Sequence, residues 1–96
     1  MAEYKLSKKA EHDLAEIARY SLDTFGLKAA REYRNSLNSA FERLANNPDL
    51  GHPFVHKSRH TRRLMHESHA IYYRRRGRMI FIQRILHQNQ DPMRRL

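Results

Sequence analysis

Residues 70–87 read AIYYRRRGRMIFIQRILH. AIYYR reads as a strand of two-residue period, a basic turn follows in which Gly77 can supply a positive φ, and MIFIQRILH is the most apolar run of the chain. The expected structure is two strands joined by a hairpin over residues 75–78, with residues 79–87 inside an antiparallel sheet. Just upstream, residues 62–67 (RRLMHE) repeat the two-residue period in a more polar form, so a third strand is expected ahead of the hairpin. Residues 46–61 (NNPDLGHPFVHKSRHT) are dense in turn formers and read as a long connection. Loops of that length in small domains are often functional.

Further toward the N-terminus the period lengthens. Ala10, Leu14, Ile17, Ala18, Ser21, Leu22 and Phe25 recur at steps of three and four, the spacing of one helix face. Ser7 is a suitable N-cap and Gly26 a stop. Glu11, His12, Asp13, Glu16, Arg19 and Asp23 take the remaining positions, with His12 and Glu16 spaced to pair on the solvent side. A second helix carries Ala30, Tyr33, Leu37, Ala40, Phe41 and Leu44 on its apolar face and ends at Asn46-Asn47-Pro48. So short a link makes the two an antiparallel hairpin. Residues 3–6 (EYKL) read as a short strand before Ser7, and the polar tail after His87 cannot continue a strand past Pro92. The order is β-α-α-β-β-β. An α+β fold is expected, with an N-terminal strand and a helical hairpin packed on one face of a C-terminal antiparallel sheet.

Ninety-six residues, 40% hydrophobic and 30% charged, fit one domain spanning residues 1–96. Mean hydropathy is −0.91. No apolar run approaches the roughly 18–20 residues of a membrane span, and the N-terminus has no basic start followed by an apolar stretch. With no cysteine, a disulfide framework or thiolate metal site is excluded. A cytoplasmic protein without membrane contact is therefore expected. Charge is one-sided. Residues 1–48 hold eight basic and seven acidic side chains, residues 49–96 eleven and three, and ten of those eleven are Arg. Arg forks onto carboxylates and phosphates, so the C-terminal half is suited to an anionic partner.

Candidate chemistry is narrow. His56 and His60 are four apart, but they lie in a loop among basic residues without a nearby carboxylate, and no metal site is expected. The glycines are scattered turn formers rather than a phosphate-cradling loop, and no cofactor is expected. Asp49, Glu67 and Asp91, the acids of the C-terminal half, are too far apart in sequence to pair. One population of suitable residues remains on the three C-terminal strands: Arg62, Arg63, His66, His69, Tyr72, Arg74, Arg84 and His87. Alternation lets Tyr72, Arg74 and Arg84 share the sheet face away from the helices. Arg and His together can bind a phosphate and move protons, the outline of a metal-free ribonuclease. The competing reading is a solvated basic sheet face.

Four segments carry a resemblance to a known family. YKLSKKAEHDLAEI with the helix end RYSLDTFG, the turn FERLANNPDLGHP, the strand SHAIYYR and the ending RILHQNQDP resemble, in order from Tyr4 to Pro92, the ParE toxins of the RelE/ParE superfamily. The resemblance implies the toxin of a type II toxin–antitoxin system. It would inhibit DNA gyrase, have no enzymatic activity of its own, and form a hetero-oligomer with a ParD-type antitoxin. DNA would be met only indirectly, through antitoxin or gyrase. The antitoxin is expected along Leu14, Ala18, Leu22, Tyr33 and Leu37 at the helical edge, and on Arg62, Arg63 and Tyr72 of the sheet. The gyrase contact is expected at Arg74, Arg84, His87, Arg94 and Arg95. The superfamily also contains ribosome-dependent mRNA endoribonucleases of RelE type, the alternative reading, with His87 as acid/base and Arg62, Arg74 and Arg84 on phosphate. This chain departs from that branch: no Tyr follows Tyr73, and Ala70 stands where the nuclease strand carries a functional Arg.

Overall fold

The computed structural model of the chain describes residues 3–55 and 60–96, so the candidate metal spacing at His56 falls outside the described residues. In chain order the elements are β1 (Glu3–Leu6), α1 (Lys8–Phe25), α2 (Leu27–Asn46), β2 (His52–Pro53), β3 (Arg62–His66), β4 (His69–Arg76), β5 (Met79–His87) and α3 (Pro92–Arg95). The two long helices and four of the five strands lie where the periodicities place them.

Each boundary has a local cause. The Ser7 hydroxyl accepts the Ala10 N–H at 2.9 Å, capping α1, and donates to the Gln83 carbonyl of β5 at 2.7 Å. Gly26, at φ 92°, closes α1 through its N–H to the Leu22 carbonyl and is the only residue between α1 and α2. A positive φ at that link is readily available only to glycine. Gly77 serves the β4–β5 turn likewise, at φ 61°.

The sheet order is β1-β5-β4-β3-β2. Adjacent strands from β2 to β5 pair antiparallel, but β1 lies parallel to β5, with Glu3 opposite Met79 and Leu6 opposite Ile82. The sheet is therefore mixed rather than wholly antiparallel. The first strand satisfies the β5 edge that β4 leaves open, a pairing of distant segments that no local pattern signals. A second addition is β2, two residues within the long connection, where Pro53 sits at a sheet edge that needs no N–H from it. A third is α3, in the polar tail where a strand could not continue past Pro92: Asp91 caps it through the Met93 N–H at 2.9 Å, and Pro92 occupies its first turn.

Two apolar clusters flank the sheet. The larger lies under the helices and joins Ala10, Leu14, Leu37, Phe41 and Leu44 to Ile71, Tyr73, Ile80, Ile82 and Ile85. The smaller, on the opposite face, joins Ala70, Tyr72 and Leu86, with Phe54 and the terminal Leu96 packed against it. Tyr73 anchors the long connection by accepting the Gly51 N–H and donating to the Pro48 carbonyl, both at 2.8 Å. A Cβ at Gly51 would stand 2.6 Å from the Tyr73 hydroxyl, so this glycine serves close approach rather than a turn.

Beyond Ile82, β5 runs past the end of β1, and the register slips by one residue at Gln83. Asp13 of α1 closes the exposed edge. Its carboxylate accepts the Ile85 N–H at 3.0 Å and the Arg84 guanidinium at 2.8 and 2.9 Å. Arg84 also donates to the Arg95 carbonyl at 2.6 Å, tying down the tail. Both side chains are mostly buried, at 15% and 11% exposure. Removing one member of a buried, hydrogen-bonded pair strands the other, so Asp13→Ala is expected to cost about 3 kcal/mol. Chemical denaturation should show this as a lowered midpoint with unchanged slope.

Candidate functional site

The helical residues expected to face a partner divide by position. Leu14 and Leu37 are core residues, 2% and 0% exposed. Ala18 and Tyr33 are half-buried, and Leu22 is exposed. The cleft between α1 and α2, lined by Leu14, Ile17, Ala18, Tyr33 and Leu37 among others, is closed even to water. The opening lies beside it, toward the hairpin tip. There a cavity of about 660 Å³ is enclosed by Glu16, Ile17, Tyr20, Phe25 and Tyr33 from the helices and by Glu67, Ser68, His69, His87 and Gln90 from the strand ends. Tyr20 and Phe25 meet edge to face at 6.3 Å and are each about two-thirds exposed.

Its floor is a hydrogen-bonded aromatic cluster. The Tyr33 hydroxyl lies 2.6 Å from Nδ1 of His69, and the His69 and His87 rings meet edge to face at 5.5 Å. His66 completes the group through Ser36, whose hydroxyl is 2.9 Å from Nε2. Burial lowers the His69 pKa from its ordinary 6.5, and the neighbouring His87 and His66 add to that; Glu67 and Asp13 oppose it. Burial likewise raises the Tyr33 hydroxyl, against a smaller lowering from Ser68. Glu67, at the mouth, begins the two-residue β3–β4 turn with φ 52°, the one positive φ outside glycine among the described residues. Hairpins usually place Gly or Asn there, and a Glu costs on the order of 1 kcal/mol.

The sheet face opposite the helices carries different chemistry. Arg63 lies over Phe54 at 5.2 Å, and Phe54 meets the buried Tyr72 edge to face at 5.2 Å. Arg74 and Arg76 lie over Phe81 at 5.7 and 4.0 Å. The Nε of Arg74 is buried without a hydrogen-bond partner among the described residues, so its stacking on Phe81 is part of what holds it. Arg94 and Arg95 are exposed on α3. Alternation predicts a shared face for Tyr72, Arg74 and Arg84, but Arg84 is drawn to Asp13 of α1, and it is Arg63, Tyr72 and Arg74 that share one surface. Arg62 does not: it turns to the Gly51 carbonyl at 2.6 Å and Asp49 at 3.5 Å. His87 is paired with His69 at the far end of β4 from Arg74, which sits opposite Phe81. Five residues of strand separate those positions, roughly 17 Å.

Fold and surfaces together can be set beside known proteins. The sequence profile described as ParE toxin of type II toxin-antitoxin system, parDE, matches residues 4–92. The chain belongs to the ParE toxin family. It is 34% identical to Toxin ParE1 of Caulobacter vibrioides over 91 residues, covering 95% of this chain and 94% of that one. It is 35% identical to Toxin ParE1 of Mycobacterium tuberculosis over 94 residues, covering 97% and 96%. In structure it resembles a chain of the chromosomal ParDE system from P. aeruginosa (TM-score 0.76, 22% identity, 91% and 96% covered). It also resembles a chain of the toxin–antitoxin complex RelBE2 from M. tuberculosis (TM-score 0.67, 17% identity, 93% of each covered). These likenesses show the RelE/ParE fold. For this ParE toxin, no helix among the described residues is long and apolar enough to cross a membrane.

Glu16, Tyr20, Phe25 and Glu67 are among the cavity residues that sequence reasoning did not assign to a site. The signal available for Tyr20 and Phe25 was two large aromatics at the end of α1, beyond the residues that pack on the sheet. The cavity floor makes stability depend on pH. Unfolded His69 takes a proton near pH 6.5, while the folded form resists until lower pH. Stability contributed by the neutral ring is therefore present above 6.5 and lost as pH falls toward the folded value. His69→Gln is expected to flatten that loss, as urea midpoints at pH 8.0, 6.5 and 5.0 would show.

Proposed function

We propose that this ParE toxin acts by binding DNA gyrase, in the cytoplasm, and is neutralised by a ParD-type antitoxin with which it forms a hetero-oligomer. The observation that supports binding over chemistry is the dispersal of the nuclease candidates. Arg84 is committed to Asp13, Arg62 to Gly51 and Asp49, and Arg74 lies at the far end of β4 from His87. A metal-free ribonuclease needs its phosphate-holding cations within reach of its acid/base.

The gyrase contact is assigned to the basic face, with Arg74, Arg94 and Arg95 as its cations. A positive surface suits an enzyme engaged with DNA. Arg84 would act there by position, since it holds the tail that carries Arg94 and Arg95. The antitoxin is assigned to the hairpin tip around Leu22 and Tyr33, continuing over the sheet edge to Arg62 and Arg63, with the buried Tyr72 supporting Phe54 beneath Arg63. Its amphipathic segment would lay apolar anchors at the tip and acidic residues on the Arg side.

The test is a gyrase supercoiling assay run beside a ribosome-programmed mRNA cleavage assay. Loss of supercoiling with intact message is expected. Arg74→Glu with Arg95→Glu should abolish the inhibition while leaving the circular dichroism spectrum unchanged, with a melting temperature lowered by a few degrees through the lost stacking on Phe81. Cleaved message with normal supercoiling would overturn the proposal in favour of the RelE-type nuclease.

A further inference from the structure

The cavity at the hairpin tip differs in charge from the rest of the molecule. The chain carries 19 Lys and Arg against 10 Asp and Glu. Yet the described lining of the cavity includes two carboxylates, Glu16 and Glu67, and neither Lys nor Arg. Their ion pairs are long contacts to imidazoles: Glu16 with His12 at 3.7 Å and Glu67 with His66 at 3.6 Å. Both side chains remain largely exposed, at 73% and 64%. The walls between them are aromatic, with Tyr20 and Phe25 presenting ring surface that packs against little else.

Glu67 is held at the cavity by the β3–β4 turn. It occupies a backbone conformation that favours Gly or Asn, and it does so at the mouth of this cavity.

We propose that this cavity receives an arginine side chain from the antitoxin, held between the Glu16 and Glu67 carboxylates and the rings of Tyr20 and Phe25. The proposal rests on the antitoxin reading above and deepens it. Arginine fits better than lysine. Its stem can lie along Ile17 and Phe25, its flat guanidinium can stack on an aromatic ring, and its five donors match two carboxylates set apart. A cation beside His69 also favours the neutral ring, the form that burial already favours. An acidic side chain would meet two like charges here.

The consequence for the pair is orientation. A segment with acidic residues at one end and an arginine at the other can lie on this toxin in only one direction, acids toward the Arg face and the arginine in the tip cavity.

Two titrations test this. In the first, N-acetyl-arginine amide, N-acetyl-norleucine amide and N-acetyl-aspartate amide are each added to the protein while the His69 and His87 ring signals are followed by NMR. The arginine compound is expected to give a saturable shift that Glu16→Gln with Glu67→Gln abolishes, and norleucine a weaker one that the double variant leaves alone. Equal or tighter binding of the aspartate compound, or an arginine titration unaffected by the double variant, overturns the proposal. Glu67→Gly separates site from scaffold. It should raise the melting temperature by a few degrees by relieving the turn, and weaken the arginine compound. A variant that melts higher and binds arginine as before overturns the role of Glu67. In the second titration the antitoxin binds wild type and the double variant, with about 10-fold weaker binding expected for the variant. Unchanged affinity overturns the cavity assignment and leaves the antitoxin reading standing. No binding to wild type overturns the antitoxin reading and with it the source of the arginine.

Discussion

The Asp13 carboxylate closes the part of β5 that runs past the end of β1. β5 is longer than β1, so its backbone beyond Ile82 faces outward without a strand beside it. A row of unpaired N–H groups is costly when buried and adhesive when exposed. Asp13 accepts one of those groups, from Ile85, and draws the Arg84 guanidinium onto itself in the same contact. Arg84 in turn holds the carbonyl of Arg95, so the position of α3 depends on a residue of α1. Helix, sheet and chain end meet there, a short distance along β5 from the Ser7 bond to Gln83.

What the sequence disclosed follows from the range of the interactions. Ser7, Gly26 and Gly77 could be read because a cap or a turn is decided by neighbouring residues. The helices could be read because each buries one face in its own period, and the strands of residues 62–87 because short runs bounded by turns mark strands, β4 and β5 being buried on both faces. The parallel β1–β5 pairing could not, since its partners lie at opposite ends of the chain. Asp13 illustrates the same limit. It occupies a position on α1 that periodicity places outside, and only the folded chain turns that outside toward the end of β5. The two-residue β2 and four-residue α3 are too short for any period to register.

The candidate surfaces divide along the same line. Alternation was enough to put Tyr72 and Arg74 on one face. It could not show that Arg84 is engaged by a helix residue 71 positions away. Nor could it show that His87 meets His69 beside the helices, at the far end of β4 from Arg74. The molecule therefore presents two unlike surfaces: arginines stacked on phenylalanine across the sheet, and an aromatic cavity with acidic walls at the hairpin tip. A partner that reads both must be bipolar.

The parallel pairing of β1 also bears on when the protein becomes complete. Ser7 and Gln83 are 76 residues apart, and everything that fixes the start of α1 against the sheet waits for β5 to exist. The helical hairpin can form early from local contacts, but closing so large a loop is a late and slow event. A chain still being synthesised has helices and no finished sheet, and neither the basic face nor the tip cavity exists without that sheet. In this ParE toxin such timing keeps both surfaces out of reach of any partner until β5 has been made and has paired with β1.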